Sequence, residues 1–227
     1  MYWQENTDNE KHTIPDDIVD VVYSLNCRCL PVDHAYALSQ AIQQALPWFA
    51  EEENAGLHTI HVAESGNGWM RPDDPNALLH LSRRTKLMLR VPKHRIDDAG
   101  KLVGQALDIS GHSLRAEKPV VRPLSVSTTL FSRYVVAREG ADENAFLQDA
   151  MTQLRAMGVQ PKKMLCGMEH FIATPEAVIR ARSLMLAELT VNESVKLQQQ
   201  GLGSNRKLGC GLFIPHKDIR EVKPALD

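Results

Sequence analysis

Two features of this 227-residue chain could do chemistry: a histidine at the head of a helix-like run, and a glycine-rich stretch that carries two cations. His34 follows Asp33, and Ala35, Leu38, Ala41, Ile42 and Ala45 follow with helical spacing. An imidazole titrates near neutral pH and can take or give a proton. A helix N-terminus lowers its pKa and favours the neutral base. Asp33 beside it, or Tyr36 two residues on, could orient it or supply a proton. The competing reading is a histidine that only caps or packs. His58 and His61 sit on an alternating segment and point to opposite faces; each could pair with a sheet neighbour or face solvent. The nine histidines form no H-E-x-x-H and no Cys/His cluster of metal spacing, so neither metal nor cofactor is expected.

Residues 201–211 read G-L-G-S-N-R-K-L-G-C-G. Gly201, Gly203, Gly209 and Gly211 frame Ser204, Asn205, Arg206 and Lys207. Glycine permits positive φ and close approach to the main chain. Backbone N–H groups and two cations suit phosphate, on a mononucleotide or a nucleic-acid backbone. A P-loop needs a strand before the loop and a helix after it. Here a polar helix-like stretch (192–200) precedes and an apolar strand-like stretch (212–215) follows, so that reading fails. A surface hairpin with turn glycines is the alternative. A second basic cluster, Arg83, Arg84 and Lys86, opens a strand-like segment, with Arg90 and Arg122 further on. Cations at a strand entry are usually solvated, yet these could grip phosphates.

The elements that must position these residues read β-α-β-β-α-β twice. Strands are predicted at 18–25, 57–63, 87–91 and 107–114, with helices at 33–46 and 96–107. The pattern repeats with strands at 130–137, 164–173, 181–189 and 212–214, and helices at 143–157 and 193–200. A polar loop covers 64–76. The class is α+β: tandem ferredoxin-like domains with a C-terminal glycine-rich loop. Residues 1–15 form a flexible arm, 16–124 the first domain and 125–227 the second, with Pro119 and Pro123 bracketing the break.

Residues 1–56 carry ten acidic and two basic side chains, whereas residues 155–227 carry seven and eleven. A basic C-terminal part in a near-neutral chain can hold a polyanion on one face. The acidic N-terminus lacks a signal-peptide pattern and no apolar run reaches membrane length, so a cytoplasmic location without membrane contact is expected. Four cysteines without zinc spacing are expected to be reduced and structural.

Five blocks then resemble one family: L-P-V-D-H-A-Y-A-L at 30–38, L-P-W at 46–48, G-L-H-T-I at 56–60, L-S-R-R-T-K-L-M-L-R-V-P at 81–92 and G-L-G-S-N-R-K-L-G-C-G-L-F at 201–213. They are similar to the CRISPR-associated endoribonucleases of the sixth Cas family, MYXAN subtype, within the RAMP superfamily. The resemblance implies binding of CRISPR repeat RNA and one metal-independent cut in precursor CRISPR RNA. The cut would leave 2′,3′-cyclic phosphate and 5′-hydroxyl ends. It implies His34 as base, with His58 as the other candidate because G-[IL]-H belongs to the subtype pattern. Tyr36 would assist. Arg83, Arg84, Lys86, Arg90 and the loop from Gly201 to Gly211 would hold RNA. A CRISPR effector complex and a homodimer stay open as partners. A catalytically silent repeat-binding subunit is the alternative, because some members do not cut.

Overall fold

The computed structural model describes residues 17–62, 74 and 77–216. The expected N-terminal arm and most of the 64–76 loop lie outside them. The chain builds a mixed α+β structure from two antiparallel sheets, a short ribbon and five helices among the described residues.

The first sheet has five strands in the order β3-β5-β1-β7-β6. They are β1 (Ile18–Asn26), β3 (Gly56–His58), β5 (Lys86–Pro92), β6 (Ala106–Ile109) and β7 (His112–Pro123). Alternation along β1 turns Val19, Val21 and Tyr23 into the core beside Leu87, Leu89 and Val91 of β5. Helix α1 (Ala35–Ala45) covers that face with Leu38 and Ile42, both 0% exposed. Burying one such side chain contributes about 1.5–3 kcal/mol. The Tyr23 hydroxyl donates to Ala99 O at 2.8 Å, so this large core residue leaves no orphaned donor. Helix α2 (Trp48–Glu51) is a single turn after Pro47, and α3 (Ile96–Gly100) is short.

The second sheet has the order β11-β8-β10-β9, from β8 (Leu130–Val136), β9 (Lys163–Ala173), β10 (Val178–Ala187) and β11 (Ile214–Pro215). Helices α4 (Glu143–Ala156) and α5 (Val191–Gln200) bury Phe146, Leu154 and Leu197 against it. Asp142 caps α4 by accepting from Ala145 N, and Thr190 with Glu193 forms a capping box on α5.

Several sequence expectations shift. The helix expected over 96–107 stops at Gly100, because residues 106–109 enter a hairpin with β7. The strand expected over 57–63 is three residues long, and Ala63 lies outside the described residues. Pro119 and Pro123 do not bracket a break; both lie inside β7. They are tolerated there because β6 pairs only with residues 112–115, leaving the outer edge of β7 open beyond them. The ribbon of β2 (Cys29–Pro31) and β4 (Leu78–His80) was not legible in the periodicity.

Candidate active site

The two sheets meet along a seam, and most candidate residues fall on it. Its centre is Arg90, 0% exposed in the middle of the first sheet. Its Nε and Nη2 donate to the two Asp20 carboxylate oxygens at 2.8 and 2.9 Å. Its Nη1 donates across the seam to Gln198 O at 2.9 Å and Phe213 O at 2.8 Å. Burial pushes the Asp20 carboxyl up, but the charge and hydrogen bonds of Arg90 outweigh it and hold the group below its ordinary range. The phosphate grip expected of Arg90 is therefore not open to it, since its donors are committed inside the protein.

His34 sits at the N-cap position of α1, 2% exposed. Its Nδ1 lies 2.9 Å from Pro31 O, and its Nε2 accepts from Ile60 N at 3.1 Å. Those two partners fix the neutral tautomer with the proton on Nδ1. Asp33 Oδ2 accepts from Ala173 N at 3.2 Å, tying the head of α1 to the end of β9. Ala35 packs there with Ile172 and Cys210, and Tyr36 is half-buried on the first turn.

His58 lies two residues along β3 from Gly56, which pairs with Arg90. Its Nε2 is 3.9 Å from Asp20 Oδ1 and has no hydrogen-bond partner among the described residues. Burial, then the charge of Arg90, pushes its pKa down to about 3, against the opposing pull of Asp20. The ring is thus neutral at physiological pH. It opens onto a narrow slot with Thr59, Phe131, Arg133, Tyr134 and Ile214, drawn from both sheets.

The glycine-rich loop is a packing device more than a cradle. Gly211 has φ +69, and a Cβ there would lie 2.1 Å from Leu202 O. Gly209 has φ +89 and presses against Thr59 and Leu57 O of the first sheet. Arg206 turns inward: Nη1 donates to Gln200 O, and Nη2 to Gln199 O at 3.0 Å and Asn54 O at 3.2 Å. Lys207 Nζ donates to Glu52 O at 2.6 Å and lies over the Phe49 ring. The last carbonyls of α5 lack intrahelical donors, and Arg206 supplies them, while Lys207 serves the carbonyls that follow α2. The expected phosphate grip of Arg206 and Lys207, and of buried Gly201, Gly209 and Gly211, is not available in this arrangement. Gly203, Ser204 and Asn205 remain exposed at the loop tip.

Arg83, Arg84 and Lys86 are exposed, as expected, with Lys86 Nζ donating to Ser24 Oγ at 2.9 Å. Arg83 lines a cleft with Ser24, Arg28 and His80 that takes in no residue of the loop. Lys86 and Arg90 are four residues apart on one strand, roughly 13 Å at the usual rise. Two seam residues escaped sequence reasoning. Asp20 is the single charge within the apolar run I-V-D-V-V, a usable signal of a buried partner. Arg133 on β8 carried no local signal. Among the described residues no group of three His, Cys, Asp or Glu side chains is arranged to hold a metal ion, and no helix is long and apolar enough to cross a membrane.

A family model described as Cas6 Crispr matches residues 19–218. A CRISPR-associated endonuclease Cas6 from Myxococcus xanthus (strain DK1622) is 30% identical over 197 residues, 87% of this chain and 81% of that protein. Among solved structures, one described as CRISPR associated protein Cas6 matches with TM-score 0.60 at 9% identity, over 88% of this chain and 100% of its own. A RAMP protein described as binding different RNA substrates matches with TM-score 0.61 at 15% identity, over the same 88% and 100%. At such identities the two structures speak for the fold alone.

Proposed function

The chain belongs to the Cas6 CRISPR family, and from that premise we propose that it binds CRISPR repeat RNA and cuts precursor CRISPR RNA by a metal-independent attack of a ribose 2′-hydroxyl. The 4-1-3-2 arrangement of the main strands in each sheet supports reading residues 16–124 and 125–227 as two ferredoxin-like domains after a short arm.

The observation that carries the mechanism is the tautomer of His34. With Nδ1 donating to Pro31 O, the lone pair belongs to Nε2, the form a general base needs. Ile60 N–H occupies that lone pair in the RNA-free protein and has to yield as substrate enters. Nε2 then takes the 2′-hydroxyl proton, and the oxygen attacks the adjacent phosphorus in line. The P–O5′ bond breaks, and the departing oxygen takes a proton from imidazolium or water. The ends are a 2′,3′-cyclic phosphate and a 5′-hydroxyl. Arg133, which opens onto the seam, supplies positive charge to the phosphorane. Tyr36 on the same turn as His34 helps orient substrate.

A second reading has His58 as the base. Its Nε2 is unpartnered among the described residues and shares a slot with Arg133. A base with pKa near 3 is weak at neutral pH, which favours His34. Cleavage of repeat RNA in EDTA, with a parallel 2′-deoxy substrate at the cut, tests the chemistry. His34→Ala is expected to lower the single-turnover rate about 10²–10⁴-fold while RNA affinity persists. Loss on His58→Ala alone would transfer the role to His58. Tight binding without any cutting by the unaltered protein would leave a silent repeat-binding subunit.

A further inference from the structure

The far end of the first sheet carries two adjoining clefts that the cleavage site does not use. One, of about 650 Å3, is lined by Ser24, Asn26, Arg28, His80, Ser82 and Arg83. The other, of about 420 Å3, shares Asn26 and Arg28 and adds His112, Ser113 and Arg115. Both fall within the ~300–1,000 Å3 range of ligand-sized pockets. Arg28, Arg83 and Arg115 line them against one carboxylate, Glu117. Arg84 and Lys86 flank the rim.

These arginines differ from the cations of the seam. Arg28, Arg83, Arg84 and Arg115 are exposed, and among the described residues none of them makes an ion pair. The ribbon of β2 and β4 brings Arg28 and the 82–84 turn together, with Leu81 N donating to Arg28 O at 2.8 Å. Arg115 reaches the same place because it pairs with Asn26 at the end of β1. Cys29 Sγ lies 3.6 Å from His112 Nδ1 and steadies that ring at the mouth of the smaller cleft.

We propose that this end of the sheet is a second RNA subsite, which takes unpaired repeat nucleotides away from the cut; the inference rests on the RNA-processing reading above. Arg28, Arg83 and Arg115 hold consecutive phosphates. His80, His112 and the guanidinium planes offer faces on which splayed bases stack. Asn26 and Ser82 present donors and acceptors to a base edge, which makes the larger cleft the base-reading one. From Pro31, whose carbonyl holds His34, to Arg28 at the cleft is three residues, roughly 10 Å at the strand rise. That spans about three nucleotides of stacked strand at 3.4 Å per phosphate. The subsite therefore reads bases beyond those held at the reacting phosphate.

Equilibrium binding of full-length repeat RNA, and of the same RNA shortened to the nucleotides around the cut, tests this. For the unaltered protein the full-length form is expected to bind more tightly. Arg28→Ala with Arg115→Ala is expected to weaken full-length binding roughly tenfold or more near 0.1 M salt and to lower its salt slope by about 1.4. The advantage over the short RNA should collapse. The double lysine variant, which keeps both charges, is expected to restore the slope. An alanine variant that keeps the full length advantage overturns the subsite, as does equal loss on both RNAs. Failure of the unaltered protein to bind either RNA would instead remove the reading on which the subsite rests.

Discussion

His58 is kept neutral by where it lies, and this has a consequence for stability. In the unfolded chain its pKa returns to the ordinary 6.5, whereas in the fold it is near 3. A group depressed by folding stabilises the fold above its unfolded pKa and loses that contribution as pH falls. Stability is thus expected to decline by up to about 1.4 kcal/mol per pH unit as pH drops from 6.5 toward 3. Asp20 acts in the same direction at lower pH, since its carboxyl is also depressed in the fold. Urea unfolding at pH 7 and pH 5 checks this, and His58→Gln should flatten the decline; an unchanged slope in that variant would assign it elsewhere. The position of His34 at the head of α1 was legible because apolar spacing marks a helix start. Its Ile60 partner was not, because that contact joins residues 26 apart in sequence and depends on how β3 returns beside the helix.

The glycine-rich stretch looked like a phosphate cradle, yet it closes α5 and wedges between the sheets. Its cations do offer donors to oxygen. The oxygens are the protein's own, the carbonyls of Gln199, Gln200, Asn54 and Glu52. Sequence cannot distinguish an internal carbonyl from a ligand phosphate when the helix end that needs donors is itself part of the loop. Gly211→Ala is expected to destabilise the protein by about 1–3 kcal/mol through its left-handed backbone alone, and by more through contact with Leu202 O. Gly203→Ala has the same kind of backbone and only a side-chain oxygen 3.7 Å away, so it should suffer the backbone effect alone. Denaturant midpoints of the two variants check the difference, and equal losses would discount the close approach. The main strands were legible through alternation and β-branched runs, whereas the three-residue β2 and β4 are too short to show a period.

The two-sheet architecture followed from the repeat of element types; the seam did not, because it is made of contacts between halves. Arg90 joins them: removing its guanidinium strands Asp20 and leaves Gln198 O and Phe213 O without that donor. Arg90→Ala is expected to destabilise by about 3–5 kcal/mol, the usual loss on breaking a buried pair. The unaltered protein should unfold in one transition, while this variant should separate protection of residues 18–123 from that of 130–215. Peptide-resolved hydrogen exchange checks both, and parallel protection in the variant would show that the remaining contacts between the halves suffice to couple the sheets. The acceptors for Arg90 also fix an order in time. Its carboxylate partner precedes it in the chain, whereas Gln198 and Phe213 follow it by 108 and 123 residues. A ribosome must add more than a hundred residues after Arg90 before the first sheet can give its central cation all of its acceptors, so the N-terminal half waits, incompletely settled, on the C-terminal one.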